Sequence, residues 1–488
     1  TEIPVDREND GVTTALEYTG DATDVVLTMT GTTYIHAISV VNLSGDIVKE
    51  TEGYHVVKAG DVNSLLDAIA YASATNSTPE ATPIKIFVPN GTYDLGETAL
   101  TQVSGYNISI IGESQDGVKI INAPDKSNEG IGTTATIYNT SSNFYMQDIT
   151  LQNDLDYYNS GSAGRAVCLW DKGDYNIYKR VKMLSYQDTY YSNNDAGKQY
   201  WTDSEIHGTV DFICGGGDII FENTKLCVEP RYADKAGECT ITAPTTATEY
   251  GYVFNNCTIE SHATSYNLGR SWQNTPKAVY LNTKMNQEPI STRWNLSGMN
   301  NIDMAVAAEY NSKDMNGNDV TPAAGTQQTF KNKNTPLTIV LTDAEAAKYT
   351  SANMFGEWAP ETKAADADKP KATIKNGVIT ITPANGGDAG VYLIEKDGEF
   401  LALTSETTYS LEDEAEGNKL TAEPVYTVRA ANAKGGFGEP AIVSQETAVE
   451  VVEAAPEAKA AEGAFVIGDK VVIIKDGKQF TAAGARIK

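Results

Sequence analysis

The sequence predicts an all-β protein: a long parallel β-solenoid with a small C-terminal β-sandwich behind it. Short apolar runs separated by irregular loops fill the middle of the 488 residues, among them Ile108-Ser109-Ile110-Ile111-Gly112, Ile219-Ile220-Phe221, Tyr252-Val253-Phe254 and Ala278-Val279-Tyr280-Leu281. A polar–small–polar–apolar signature recurs at Asp148-Ile149-Thr150-Leu151, Asn223-Thr224-Lys225-Leu226, Asn256-Cys257-Thr258-Ile259 and Asn282-Thr283-Lys284-Met285. Its spacing of a few tens of residues suits coils of uneven length. A sandwich of hairpins would need more Asn-Gly or Asp-Gly turns between these runs than the sequence shows.

In chain order, residues 1–50 alternate apolar and polar, as strands do, and form an N-terminal β segment, the remnant of a larger module. Asp61 is placed to N-cap a helix beginning at 62. Its apolar residues Leu65, Leu66, Ile69 and Ala72 share one face, which suits a cap on the end of a solenoid. The solenoid spans 51–357, with a short helix at 342–348. Residues 358–371, rich in Ala, Asp, Lys and Pro, read as a linker. Residues 372–447 have the strand density of a small sandwich. A second Ala/Glu/Pro linker at 448–463 leads to a hairpin-like tail at 464–488.

Composition narrows the function. A formal net charge of −28 disfavours nucleic acid and anionic membrane surfaces as partners. No membrane span is visible. The five cysteines form no CxxC pair and are odd in number, which argues against a zinc site and a disulfide framework and for buried core thiols. None of the four histidines stands in a readable nucleophile or metal motif, so no metal and no cofactor is expected. The sequence shows no signal peptide, and its start at Thr1 reads as a mature or trimmed product.

Two carboxylates stand out. Asp188 lies five residues after Met183, and Asp211 five residues after Ile206, each behind a strand-like run. On consecutive coils, equal offsets would stack the two acids one rung apart, ~4.8 Å. Such a pair cannot ionise freely: one pKa rises while the other stays low, giving a general acid beside a potential nucleophile. A single Asp after a strand is most often a turn residue. The ordered company of further motifs is what lifts this pair above that.

Gln187-Asp188-Thr189-Tyr190-Tyr191, Gly208-Thr209-Val210-Asp211-Phe212-Ile213-Cys214-Gly215 and Leu268-Gly269-Arg270-Ser271-Trp272 follow in order, with Pro89-Asn90-Gly91-Thr92-Tyr93 upstream and Ala308-Glu309-Tyr310 downstream. Together they strongly resemble the signature blocks of pectin methylesterases, carbohydrate esterase family 8, over roughly residues 55–355. The resemblance implies a right-handed parallel β-helix that removes methyl esters from homogalacturonan and needs no metal. It implies Asp211 as the nucleophile, Asp188 as the acid and then the base, Gln187 as an oxyanion donor and Arg270 as the partner of Asp211. Trp272 would wall a sugar ring, with Trp201 a further candidate for the same task. A cation beside the nucleophile and none beside the acid is also what the chemistry alone requires.

Two positions depart from the family pattern. Arg165, in Gly164-Arg165-Ala166-Val167-Cys168-Leu169, stands where the family usually has a glutamine. A guanidinium there could donate to an oxyanion, pair with either aspartate, or bind a free galacturonate carboxylate. Thr242-Ala243-Pro244 replaces the family's Thr-Ala-Gln. The run Tyr426-Thr427-Val428-Arg429-Ala430-Ala431-Asn432 resembles a late strand of fibronectin type III modules. The tail resembles C-terminal segments of secreted proteins from Bacteroidetes-type bacteria, which points to a secreted, periplasmic or cell-surface protein of a Gram-negative organism. The competing readings are a non-catalytic pectin-binding surface protein and another β-helix pectin-degrading enzyme. The acidic charge favours methyl-esterified homogalacturonan over the free polyanion as partner.

Overall fold

The computed structural model describes residues 49–160, 164–384, 390–411 and 424–445, with the strands Gly463–Ile467, Lys470–Lys475 and Lys478–Thr481. The N-terminal β segment expected at 1–50 and the linker expected at 448–463 lie almost wholly outside the described residues. The last three strands form an antiparallel sheet of their own.

After one antiparallel hairpin, Lys49–Thr51 with Tyr54–Val56, the named strand pairings up to Lys313–Asp314 are parallel. The chain coils through an 18-stranded sheet and a separate seven-stranded sheet, making a parallel β-helix. The helix Val62–Thr75 covers its first coil. Asp61 caps it by accepting from the main-chain N–H groups of Asn63 and Ser64, and Leu65, Ala68, Ile69 and Ala72 are buried beneath it.

Successive coils register so that Ile86, Ile110, Met146, Tyr178, Trp201, Phe221, Phe254 and Tyr280 form one interior file. All are fully buried. Ring centroids lie 4.2 Å apart for Tyr178–Trp201, 5.9 Å for Trp201–Phe221, 4.7 Å for Phe221–Phe254 and 4.5 Å for Phe254–Tyr280. Each buried side chain of this size is worth about 1.5–3 kcal/mol, so the file is a spine of the fold. Trp201 therefore does not meet a sugar ring. Strand alternation turns it inward, and Tyr178 and Phe221 cover its two faces.

Residues adjacent to this file face outward yet are also buried: Phe87, Ile111, Tyr145, Ile177, Tyr200, Ile220, Val253 and Val279. Phe355, Trp358, Leu393 and Phe437, from later in the chain, cover them. This explains strands that are apolar on both sides. The recurring polar signature marks the corner between two faces. Asp148, Asn223, Asn256 and Asn282 all have positive φ, and so do Arg180, Asp203 and Asn311 at the equivalent position of other coils. Asn and Asp tolerate this left-handed conformation. Asn256 Nδ2 donates to Asn223 Oδ1 at 2.5 Å, and Asn311 Nδ2 to Asn282 Oδ1 at 2.8 Å.

The stretch expected as a linker at 358–371 is partly helical and docked. Pro360–Ala364 is an α-helix, Trp358 is buried, Ala364 O accepts from Lys179 Nζ at 2.6 Å, and Asp366 pairs with Lys179 and Arg180. Its apolar residues cover the outward face, which the Ala/Pro/charge composition conceals. Behind it, Lys371–Lys375, Val378–Thr382 and Thr408–Ser410 form one sheet. Tyr392–Lys396, Glu399–Thr404, Tyr426–Ala430 and Ala441–Ile442 form another. Between them lies a core of Ile379, Ile381, Tyr392, Ile394 and Val428. This module is anchored through Arg429, which donates to Glu113 O at 2.7 Å and lies 3.4 Å from Asp148. A Cβ on Gly436 would meet Gln147 Oε1 at 1.9 Å, so a larger residue there would have to displace the Gln147 side chain. Among the described residues no helix is long and apolar enough to cross a membrane.

Candidate active site

The seven-stranded sheet carries the site. Its neighbouring strands include Leu169–Asp171, Tyr190–Ser192, Val210–Gly215, Glu238–Pro244 and Ser265–Gly269. Met183 pairs with Ile206 on one sheet and Tyr190 with Ile213 on this one, so Asp188 and Asp211 occupy equivalent positions on adjacent coils. Asp188 N donates to Val210 O at 3.2 Å. Both acids have positive φ, +61° and +50°. Such a conformation costs about 1–3 kcal/mol and gathers at functional sites. Just ahead of Asp211, a Cβ on Gly208 would lie 2.1 Å from Phe212 Cβ and 2.7 Å from Tyr186 O, so the coil can close there only on glycine.

Both carboxylates are about 95% buried, with 5% and 4% of Asp188 and Asp211 exposed. Arg270 breaks their symmetry. Its Nε donates to Asp211 Oδ1 at 2.9 Å and its Nη2 to Oδ2 at 2.5 Å, a bidentate fork. Burial pushes the Asp188 pKa well up, and the charge of Asp211 pushes the same way against Arg165 and Arg270. Burial raises Asp211 too, but the Arg270 hydrogen bonds and charge, and the more distant Arg231, oppose it. Asp188 is thus the more strongly raised of the two, and the cation is placed to favour charge on Asp211.

Gln187, half-buried, directly precedes Asp188 and bridges in parallel to Arg165 on the previous coil. Ala166 N donates to Gln187 O at 2.9 Å. The Arg165 side chain is 40% exposed and lies 3.8 Å from Glu129 Oε2, which also accepts from Arg165 N at 2.9 Å. Arg165 lowers the Asp188 pKa and Glu129 raises it, so the extra cation arrives with a partly cancelling anion. Of the three residues expected to hold substrate, Arg165 acts on Asp188, Trp272 lies two residues beyond Arg270, and Trp201 lies in the core.

Trp272 is half-buried, and its main-chain N–H donates to Pro244 O at 3.1 Å. Its ring lies 6.0 Å from Tyr191, which stacks on Trp170 at 5.7 Å, which lies 4.4 Å from Tyr138. Tyr138, Trp170 and Tyr191 are register partners on three successive coils. Sequence reasoning missed this aromatic row. The available signal was alternation: with Tyr190 inside, Tyr191 must face out. Cys214 continues the row beside Tyr191, and burial together with both acids pushes its thiol well up. Arg231 was also missed, because it acts from a loop with no motif of its own.

A buried acid with a strongly raised pKa, a second acid forked by a cation, and an aromatic row beside them can support acyl transfer through a carboxylate nucleophile. Comparison with known proteins gives the family. The pectinesterase family model matches residues 55–357. Pectinesterase A of Dickeya dadantii (strain 3937) is 31% identical over 346 residues, covering 61% of this chain and 87% of that protein. Pectinesterase 1 of Arabidopsis thaliana is 28% identical over 290 residues, covering 57% of this chain and 46% of that one. Among solved structures, a pectin methylesterase from carrot superposes with a TM-score of 0.51 at 19% identity, over 65% of this chain and 99% of that chain, a likeness of fold.

Proposed function

The chain belongs to the pectinesterase family, and from that premise we propose that it hydrolyses the methyl esters of homogalacturonan, with Asp211 as nucleophile and Asp188 as proton carrier. The observation that carries the assignment of roles is the Arg270 fork, made to Asp211 and not to Asp188.

Asp211 attacks the ester carbonyl carbon, and the tetrahedral intermediate gathers charge on the former carbonyl oxygen. Gln187 donates to that oxygen, an interaction typically worth about 2.7–4 kcal/mol of barrier. The C–OCH3 bond breaks, Asp188 gives its proton to the leaving methoxide, and methanol departs from an Asp211–galacturonyl anhydride. The ionised Asp188 then takes a proton from water, which attacks the anhydride. The Asp211 carboxylate and the galacturonic acid product are released, Asp188 is again protonated, and the product carboxyl loses its proton to solvent. Trp272 and the row Tyr191–Trp170–Tyr138 offer apolar ring surface along the path of the polymer.

The test is simultaneous measurement of methanol and of titratable carboxylate from highly methylated pectin. One methanol per carboxylate, with no shortening of the polymer, is expected. Chain cleavage without methanol would instead indicate a lyase or glycanase on the same fold.

A further inference from the structure

A second cluster of chemically competent side chains lies on the large sheet, apart from the catalytic row. The strands Glu205–Gly208 and Lys225–Val228 pair in parallel with His207 opposite Cys227. Glu205 stands two residues before His207, so both leave the same face of the strand. Glu205, His207 and Cys227 each present one ligand atom, and the three atoms lie within 4.8 Å of one another. His207 Nε2 is 2.6 Å from Glu205 Oε1, and His207 Nδ1 is 2.8 Å from Glu229 Oε1. The Cys227 residue is fully buried. Nothing in the esterase chemistry uses these groups.

We propose that Glu205, His207 and Cys227 form a binding site for a zinc-class divalent transition-metal ion that ties two successive coils together. A thiolate, an imidazole and a carboxylate are the donor set of a borderline-soft ion, whereas calcium and magnesium take oxygen alone. His207 ligates through Nε2 while its Nδ1–H donates to Glu229, the carboxylate behind the histidine that fixes the ring. Binding releases the Cys227 thiol proton and any proton on Nε2 to solvent, and water fills the fourth position. Of the nearby cations, Lys182 lies 2.7 Å from Asp116 and 3.9 Å from Glu205 Oε1, and Lys225 lies 2.9 Å from Glu260. Glu260 also holds His262 at 3.0 Å. A protonated His207 held by Glu205, Glu229 and the Cys227 sulfur is the metal-free alternative, and cobalt titration separates the two.

The test uses the full, tag-free chain, stripped of metal and titrated with Co2+. One equivalent is expected to bind, with a thiolate-to-cobalt charge-transfer band and the strong visible bands of tetrahedral cobalt. One equivalent of Zn2+ should abolish both. Cys227→Ser should lose the charge-transfer band, Glu229→Gln should weaken binding by about 10–100-fold, and Cys257→Ser should leave the titration unchanged. X-ray absorption on the zinc-loaded wild type should show one sulfur at about 2.3 Å, which decides the matter even where a variant fails to fold. Absence of stoichiometric cobalt binding, a charge-transfer band that survives Cys227→Ser, or a zinc shell without sulfur would each overturn the proposal.

Discussion

At the scale of single residues, the site turns on which acid keeps its proton. Arg165 lowers the Asp188 pKa and Glu129 raises it. Removing the cation in Arg165→Gln should therefore let Asp188 hold its proton to higher pH. The alkaline limb of the kcat/KM profile should move up, and in Glu129→Gln it should move down. Identical profiles for both variants would show that neither charge reaches the acid. Stability has a matching sign. A carboxyl raised by folding binds more protons in the native than in the unfolded state, so stability falls as pH climbs from about 3.9, the unfolded value, toward the folded one. Asp188→Asn should flatten that slope and leave the protein more stable to heat at neutral pH while lowering activity by about 10^2–10^4-fold. A thermal midpoint at neutral pH below that of wild type would contradict this reading of Asp188. The identities of both aspartates and of Arg270 were legible in the sequence because each sits in a block with its own glycine or aromatic context. Glu129 was not, because its relation to Arg165 spans 36 residues of chain and exists only once the coils stack.

At the scale of elements, coils and corners set the geometry. The polar signature could be seen in the sequence, but its meaning could not. It marks left-handed corners, and an Asn side chain there also joins the next corner. Asn256→Ala should cost about 1–2 kcal/mol from its left-handed backbone alone, and Asn256→Gly should cost less, which denaturant unfolding would resolve. Equal losses would mean that the backbone conformation is not what the position supplies. The inward or outward direction of each aromatic depends on strand register. Trp201 illustrates the limit: its type suited a sugar platform, and its place in the file of stacked rings excludes one. Tyr191, two coils from Tyr138 by register, shows the converse.

At the scale of the whole molecule, the C-terminal module and the segment before it complete the β-helix. They bury outward aromatics that would otherwise form a large apolar surface. Truncation after residue 355 should lower the thermal midpoint and promote aggregation. A truncated protein as stable and soluble as the full chain would contradict this. Arg429→Ala, which strips a buried cation from Asp148 and Glu395, should cost about 3–5 kcal/mol. Strand density made the later strands legible, but their docking was hidden. It depends on Gly435 and Gly436 approaching strands some 290 to 380 residues earlier, as in Tyr54 Oη donating to Gly435 O and Gln147 Nε2 to Phe437 O.

The central claim is that Asp211, held ionised by Arg270, is the nucleophile. It is tested most directly by the rate of methanol release from highly methylated pectin by Asp211→Asn against wild type, with folding matched by circular dichroism. A fall of at least about 10^3-fold is expected, since an amide cannot form the anhydride and members of such a unit fail together. Methanol release within a few-fold of wild type would contradict it.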